Sequence, residues 1–312
     1  MNFLEGLFKC FEPEILAAYA RAANDAGIDP TSVPLVFADK SWRLGVHEAE
    51  YAALMPPGCV QVTWNGITSL WACAQGISRL SRRMFDAQRA GTSKLFVAQD
   101  EELERGLYFY ELSRRLAKHK FDHWVDWVPS PTCEPTNEDD EAGNFLFLQA
   151  LGWILRHELA HLNLDHHARL KAKSISRYNA EVEADEAATR WAKGNHVADR
   201  SRPSGQALST EELELERRAV SAGVGLLWVG MFEESFRAPS PEYPAVAERL
   251  QKSFDLFELP TDSFAAEIFS YSIKAWIDPE GAWDVPTDET TATAQSALAT
   301  AVVNLHRHMN NL

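Results

Sequence analysis

Five consecutive residues, His157-Glu158-Leu159-Ala160-His161, set two imidazoles four positions apart with a carboxylate between them. On an α-helix that spacing brings both rings to one face. Their nitrogens can then converge on a single Zn²⁺ at the roughly 2.0–2.1 Å of a Zn–N bond. Glu158 projects about 60° from His161 on the helical wheel. From there it can hold and deprotonate a water without ligating the ion. Chance would supply only roughly 0.03 such pentads in a chain of this composition. At about 100° per residue, Gln149, Arg156 and Asn163 share a polar stripe, and His157 and His161 lie away from it, in line with Ala150 and Ile154. The two histidines therefore face the interior, where imidazoles without partners would be costly.

A zinc ion that does chemistry takes a third protein donor and keeps one position open. The chain offers two candidates. His167 stands where the HExxHxxGxxH zinc peptidases place a third histidine, but position 164 is Leu, where that class needs Gly to turn the chain back. Only Met231 and Met309 remain downstream for a methionine turn. Solvent at a helix end is the expected home of His167. The other candidate is Glu181, in Glu181-Val182-Glu183-Ala184-Asp185-Glu186-Ala187-Ala188. Glu181, Asp185 and Ala188 share a helical face beside Ala184 and Trp191, whereas Glu183 and Glu186 point away. Glu181 can thus enter the interior as a donor. Asp185, one turn on, can accept the ring N–H of a ligating histidine and orient it. The expected site is one Zn²⁺ per chain on His157, His161 and Glu181, with Glu158 as general base and Asp185 behind the ligands.

The rest of the chain must position that cluster. Its 312 residues are 46% hydrophobic and 24% charged, which fits a globular protein with a sizeable core. The net charge of −15 disfavours nucleic acid or an anionic membrane as partner. A basic stretch at Arg169, Lys171, Lys173 and Arg177 reads as a solvated helix end. Cys10, Cys59, Cys73 and Cys133 are scattered without framework spacing, as in a reducing compartment. The N-terminus lacks the pattern of a secretory signal. The longest apolar run, Ala219 to Phe232, falls short of the ~20 residues that span a bilayer and reads as a buried core helix. A soluble, cytoplasmic protein is expected.

Periodicity predicts a helix over 13–28 and a strand over 33–38. An alternating segment over 60–64 runs into Asn65-Gly66, a hairpin turn signal. Residues 67–74 then read as a partner strand or as a helix start. A further helix is expected over 101–118. The segment 129–143, PSPTCEPTNEDDEAG, reads as an acidic, Pro-rich loop. Helices follow over 145–164, 178–193, 210–236, 244–257, 262–276 and 290–310. The expected class is α+β and predominantly helical. It comprises an N-terminal α/β region with a short sheet over 1–128, the loop over 129–143, and a helical zinc-site region over 144–312.

HELAH followed about twenty residues later by ExEADxxA resembles the gluzincin peptidases, whose third ligand is a helical glutamate. That group includes the HtpX and CAAX-prenyl-protease enzymes and the ImmA-type repressor peptidases. The flanks GWILRHELAHLNLDHH and YNAEVEADEAATRWA look most like the phage-exclusion (Lit-like) peptidase family, across residues 145–192. Tyr243-Pro244-Ala245-Val246-Ala247-Glu248-Arg249-Leu250 resembles the HPxxxER(I/L) element of HtpX-like enzymes, with Tyr243 in place of its histidine. On this resemblance Tyr243 would donate to the tetrahedral intermediate, with Arg249 or another histidine as the other candidate donors. Read from the residues alone, the segment is a Pro-started helix with Glu248 and Arg249 as surface charges. The resemblance implies a zincin-like core and an endopeptidase that cuts an intracellular protein during phage infection, with elongation factor Tu as substrate and a phage-derived activator. Two alternatives stand beside it: an ImmA-like peptidase that cleaves a DNA-binding repressor, and a non-catalytic protein holding a structural zinc.

Overall fold

In the computed structural model of the chain, the residues described are 3–38, 52–55, 59–117, 130–135, 137–197, 207–236, 243–280, 282–285 and 293–311. Eleven α-helices and five short strands lie among them. In chain order they are α1 (Phe3–Phe8), α2 (Glu12–Asp25), β1 (Leu35–Ala38), β2 (Ala52–Met55), β3 (Cys59–Thr63) and α3 (Trp64–Arg89). Next come β4 (Lys94–Phe96), α4 (Glu101–Ala117), α5 (Glu138–Asn163), α6 (His166–Lys171), α7 (Arg177–Lys193) and α8 (Thr210–Phe236). The chain closes with α9 (Val246–Phe257), α10 (Phe264–Ile277), β5 (Ala282–Asp284) and α11 (Ala294–Asn310). The class is α+β and mostly helical. Of the expected elements, Lys118 and residues 129, 136 and 290–292 lie outside the described residues.

One sheet has the order β1-β3-β2, with β1 parallel and β2 antiparallel to β3, and β4 pairs with β5 antiparallel. Asn65-Gly66 does not make the hairpin turn its type suggests. Thr63 caps α3 by accepting from Gly66 N at 3.0 Å, so the strand passes directly into a 26-residue helix. Residues 67–74 belong to that helix and are all buried.

The acidic segment before the His-Glu-His pentad is also not all loop. Asn137 caps α5 by accepting from Asp140 N at 2.9 Å, and Glu138, Asp139, Asp140 and Glu141 form its first turn. Negative charge is favourable at that end of a helix. Two arginines of α3 bind these acids: Arg79 Nη2 reaches Asp140 Oδ1 at 2.5 Å, and Arg82 pairs with Glu138 and Asp139. The helix expected from residue 145 therefore begins at Glu138.

Helix α5 runs through the core, packed on α2, α3, α7 and α8. Its polar residues anchor it on two sides rather than facing water throughout. Asn144 Oδ1 accepts from Trp71 Nε1 and Gln75 Nε2, at 2.9 and 3.1 Å. Arg156 binds Asp25, and Asn163 Nδ2 donates to the Ala26 carbonyl, both at the end of α2. One hydrophobic cluster spans from Phe8 to Met309 and includes the buried Trp71, Trp153, Trp276 and Trp283. The apolar run in α8 is buried from Ala219 to Met231, save for the half-buried Val229. At Gly223 a Cβ would lie 2.3 Å from Phe269 Cζ, so a ring of α10 sits directly on the α8 backbone. Among the described residues, no helix is long and apolar enough to cross a membrane.

Candidate metal centre

The site is built from the C-terminal half of α5, the turn into α6, the first half of α7 and the start of α9. Ala150, Trp153, Ile154 and Ala160, all buried, share the side of α5 that bears His157 and carry it inside with them. His157 Nε2 lies 3.1 Å from His161 Nε2 and 3.2 Å from Glu181 Oε2, and His161 Nε2 lies 3.7 Å from Glu181 Oε1. Ligand atoms bound tetrahedrally at about 2.05 Å to one ion stand about 3.3 Å apart. The three separations bracket that value. Two imidazoles and a carboxylate are also the donor types of a zinc site with an open position. His157, His161 and Glu181 can therefore hold a metal ion, and they form the only such group of three or more donors among the described residues.

Asp185 stands where the helical wheel puts it. Its Oδ1 is 2.9 Å from His157 Nδ1, close enough for a charge contact, although the ring N–H is not well aligned on that oxygen. Asp185 is in turn gripped by Arg249, whose Nε and Nη2 donate to its two oxygens at 2.7 and 2.8 Å. Arg249 is no surface charge: it is 5% exposed, with Nη2 4.0 Å from Glu181 Oε2. Nor does its guanidinium stand free as a donor to substrate, because its fork faces Asp185. Glu248, on the outer side of α9, accepts from the Tyr178 hydroxyl and pairs with Lys252. Tyr243 is 42% exposed, and its hydroxyl accepts from Arg177 Nη1 at 3.5 Å at the start of α7. Glu158 is half-buried on α5.

The electrostatics call for positive charge between the carboxylates. Burial disfavours charge on His157, but Asp185 and Glu181 outweigh it and push the imidazole up to about 10. Burial and the neighbouring His157 lower His161 to about 3. For Glu181, burial works upward, yet the bond and charge of His157 bring it down to about 2. Asp185 is likewise held well below the usual carboxylate range, against burial, by Arg249 and His157.

His166 escaped the sequence analysis. Asp165 adopts the left-handed conformation (φ 53°), turning the chain so that His166 points inward and His167 outward to solvent. His166 is 1% exposed. Its Nδ1 lies 2.9 Å from His161 Nδ1, and its Nε2 lies 3.2 Å from Glu183 Oε2. Arg169 forks Glu183 at 2.6 and 3.0 Å, so neither Glu183 nor Arg169 is merely a solvated charge. The signal available in the sequence was Asp165 itself, one of the residue types that tolerate positive φ, directly after the helix.

The family described as Peptidase U49 matches residues 60–269, about two thirds of the chain and all of the cluster. A curated relative, the "Cell death peptidase" of Escherichia coli (strain K12), is 28% identical over 138 residues. That alignment covers 44% of this chain and 41% of the relative, less than half of either. No solved structure matches the chain significantly.

Proposed function

The chain belongs to the Peptidase U49 family, and from that premise we propose that it is a zinc-dependent endopeptidase of the phage-exclusion type, acting on a protein inside the cell. The observation that carries the reading is the convergence of His157 Nε2, His161 Nε2 and Glu181 on one point, with Glu158 next to the first of them. Three grouped donors leave a fourth position for chemistry, which favours a catalytic centre over a closed structural one. Zinc held there supplies Lewis acidity, which polarises a carbonyl and acidifies water.

The chain's own residues do the rest. Glu158 accepts the proton of the attacking water and returns it to the leaving amine. Asp185 keeps the His157 ring turned inward, and Arg249 keeps Asp185 charged and in place. We assign Arg249 to this positioning role rather than to the oxyanion. The exposed Tyr243 hydroxyl is the residue to test as oxyanion donor, by Tyr243→Phe. Elongation factor Tu, the substrate implied by the likeness to phage-exclusion peptidases, is the first protein to offer as substrate, with and without extract of phage-infected cells.

The test is metal content and cleavage together. Purified wild type should carry one zinc per chain, with His161→Ala and Glu181→Ala losing it or binding it far more weakly. Glu158→Gln should keep its zinc and lose turnover by roughly 10²–10⁴-fold. Wild type that takes up no metal, or a Glu158→Gln variant cutting at the wild-type rate, would overturn the proposal.

A further inference from the structure

Behind the two histidines the site has two arms of the same kind. On one, Arg249 grips Asp185, which faces Nδ1 of His157. On the other, Arg169 grips Glu183, which faces Nε2 of His166, and Nδ1 of His166 faces Nδ1 of His161. The second arm is one imidazole longer. A neutral imidazole has one N–H donor and one bare acceptor nitrogen, so its protons can be placed. Glu183 is an acceptor only, and Arg169 donates to both of its oxygens. His166 must therefore donate from Nε2, which leaves its Nδ1 bare. That bare nitrogen can only accept, so the proton between the two rings sits on Nδ1 of His161. The Nε2 of His161 is then a lone pair aimed at His157 Nε2 and Glu181.

We infer that His166 is a positioning residue, which relays the negative charge of Glu183 through its own ring and so fixes His161 in the tautomer and orientation that a metal needs. Its burial is otherwise hard to account for, because a polar ring at 1% exposure gains nothing from the core unless both nitrogens are used. The relay also explains why Asp165 takes a left-handed turn: that turn is what brings position 166, and not 167, against His161. The inference rests on the metal-centre reading for its purpose, but the proton placement can be judged without it.

Two measurements test it. In metal-free wild type, nitrogen NMR of the histidine rings should find the protons on Nδ1 of His161 and Nε2 of His166; a proton on Nδ1 of His166 would overturn the relay. In chelator competition with Zn²⁺, His166→Phe keeps the ring volume but offers no acceptor and should bind roughly 10–100-fold more weakly. His166→Asn, whose Oδ1 falls near the place of Nδ1, still accepts from His161 and should bind more tightly than the Phe variant. If His166 were only a packing residue, Phe would be the better tolerated of the two; Phe binding as tightly as wild type overturns the inference. Should His166→Phe not fold, Glu183→Ala removes the far end of the relay with His166 left in place, and unchanged zinc affinity there overturns it as well. A wild type that binds no zinc would sink the metal-centre reading, and the proton positions would still decide the relay.

Discussion

Arg249 offers a way to separate what holds the fold from what would hold a metal ion. Its guanidinium and the Asp185 carboxylate are 5% and 9% exposed and joined by two short bonds. Arg249→Met removes one partner and leaves a buried carboxylate with only His157 beside it. Breaking a buried pair in this way costs about 3–5 kcal/mol, and His157 keeps the cost at the lower end, about 3. At roughly 2 °C per kcal/mol for a chain of this size, the melting temperature of the metal-free protein should fall by about 6 °C. Replacing both partners, Arg249→Met with Asp185→Leu, removes the unpaired charge along with the pair, and most of that stability should return. Zinc affinity should not return, because His157 Nδ1 has still lost its partner, and a deficit of roughly 10–100-fold is expected. The assays are calorimetry in chelator and zinc competition on both variants. A single variant within 1 kcal/mol of wild type, or a double variant binding zinc like wild type, would refute the reasoning.

The contribution of the metal-free cluster to stability should peak near pH 6.5. Above that, His157 (6.5 raised to about 10) keeps a proton only in the folded state, and stability is lost as pH rises towards 10. Below it, unfolding lets His161 (folded value about 3) take up a proton, and below about 4.5 Glu181 (folded value about 2) does the same, so stability is lost again as pH falls. Melting temperatures against pH in chelator, as the difference from a His157→Phe, His161→Phe double variant, read this directly; a maximum above pH 9 contradicts it. Gly223→Ala should lower the denaturation midpoint by an amount worth about 1–3 kcal/mol, since the new methyl meets the Phe269 ring. Asn137→Ala, which uncaps α5, should cost about 1 kcal/mol while leaving zinc affinity within a few-fold; an unchanged midpoint would mean the cap contributes nothing.

Where apolar periodicity is long and ends in clear caps, the chain can be read directly. Helix α8 spans Thr210–Phe236, the expected 210–236, and α7 begins one residue before its expected start. The elements misread are those in which two local rules compete. Asn65-Gly66 favours a hairpin, but Thr63 two residues earlier favours a helix start, and only burial of the following residues decides between them. The acids at 138–141 look like solvated loop until Arg79 and Arg82 are seen opposite them. The short β5 owes its existence to β4, nearly two hundred residues away, and three residues carry no periodic signal. In the site, helical spacing was enough to pair His157 with His161 on α5 and Glu181 with Asp185 on α7, while the packing of α5 on α7 that joins the two pairs leaves no mark in the spacing. His166 lies beyond a left-handed turn, where helical periodicity stops applying, and the partnership of Arg249 with Asp185 is a fact of packing between helices.

Glu181, Glu183 and Asp185 all ride on α7, so one helix carries the third donor and the carboxylate at the root of each arm. Everything they meet on α5 and α6 lies within about thirty residues, and only Arg249 comes from farther along, 64 residues beyond Asp185. Contacts close in sequence close small loops and form early in folding, whereas distant ones wait for the chain to collapse around them. The α5–α6–α7 unit should thus assemble first, with Arg249 locking it from outside as α9 docks. In kinetic terms, Arg249→Met should speed unfolding and leave refolding almost unchanged, while substitutions at His166 or Glu183 should slow refolding itself.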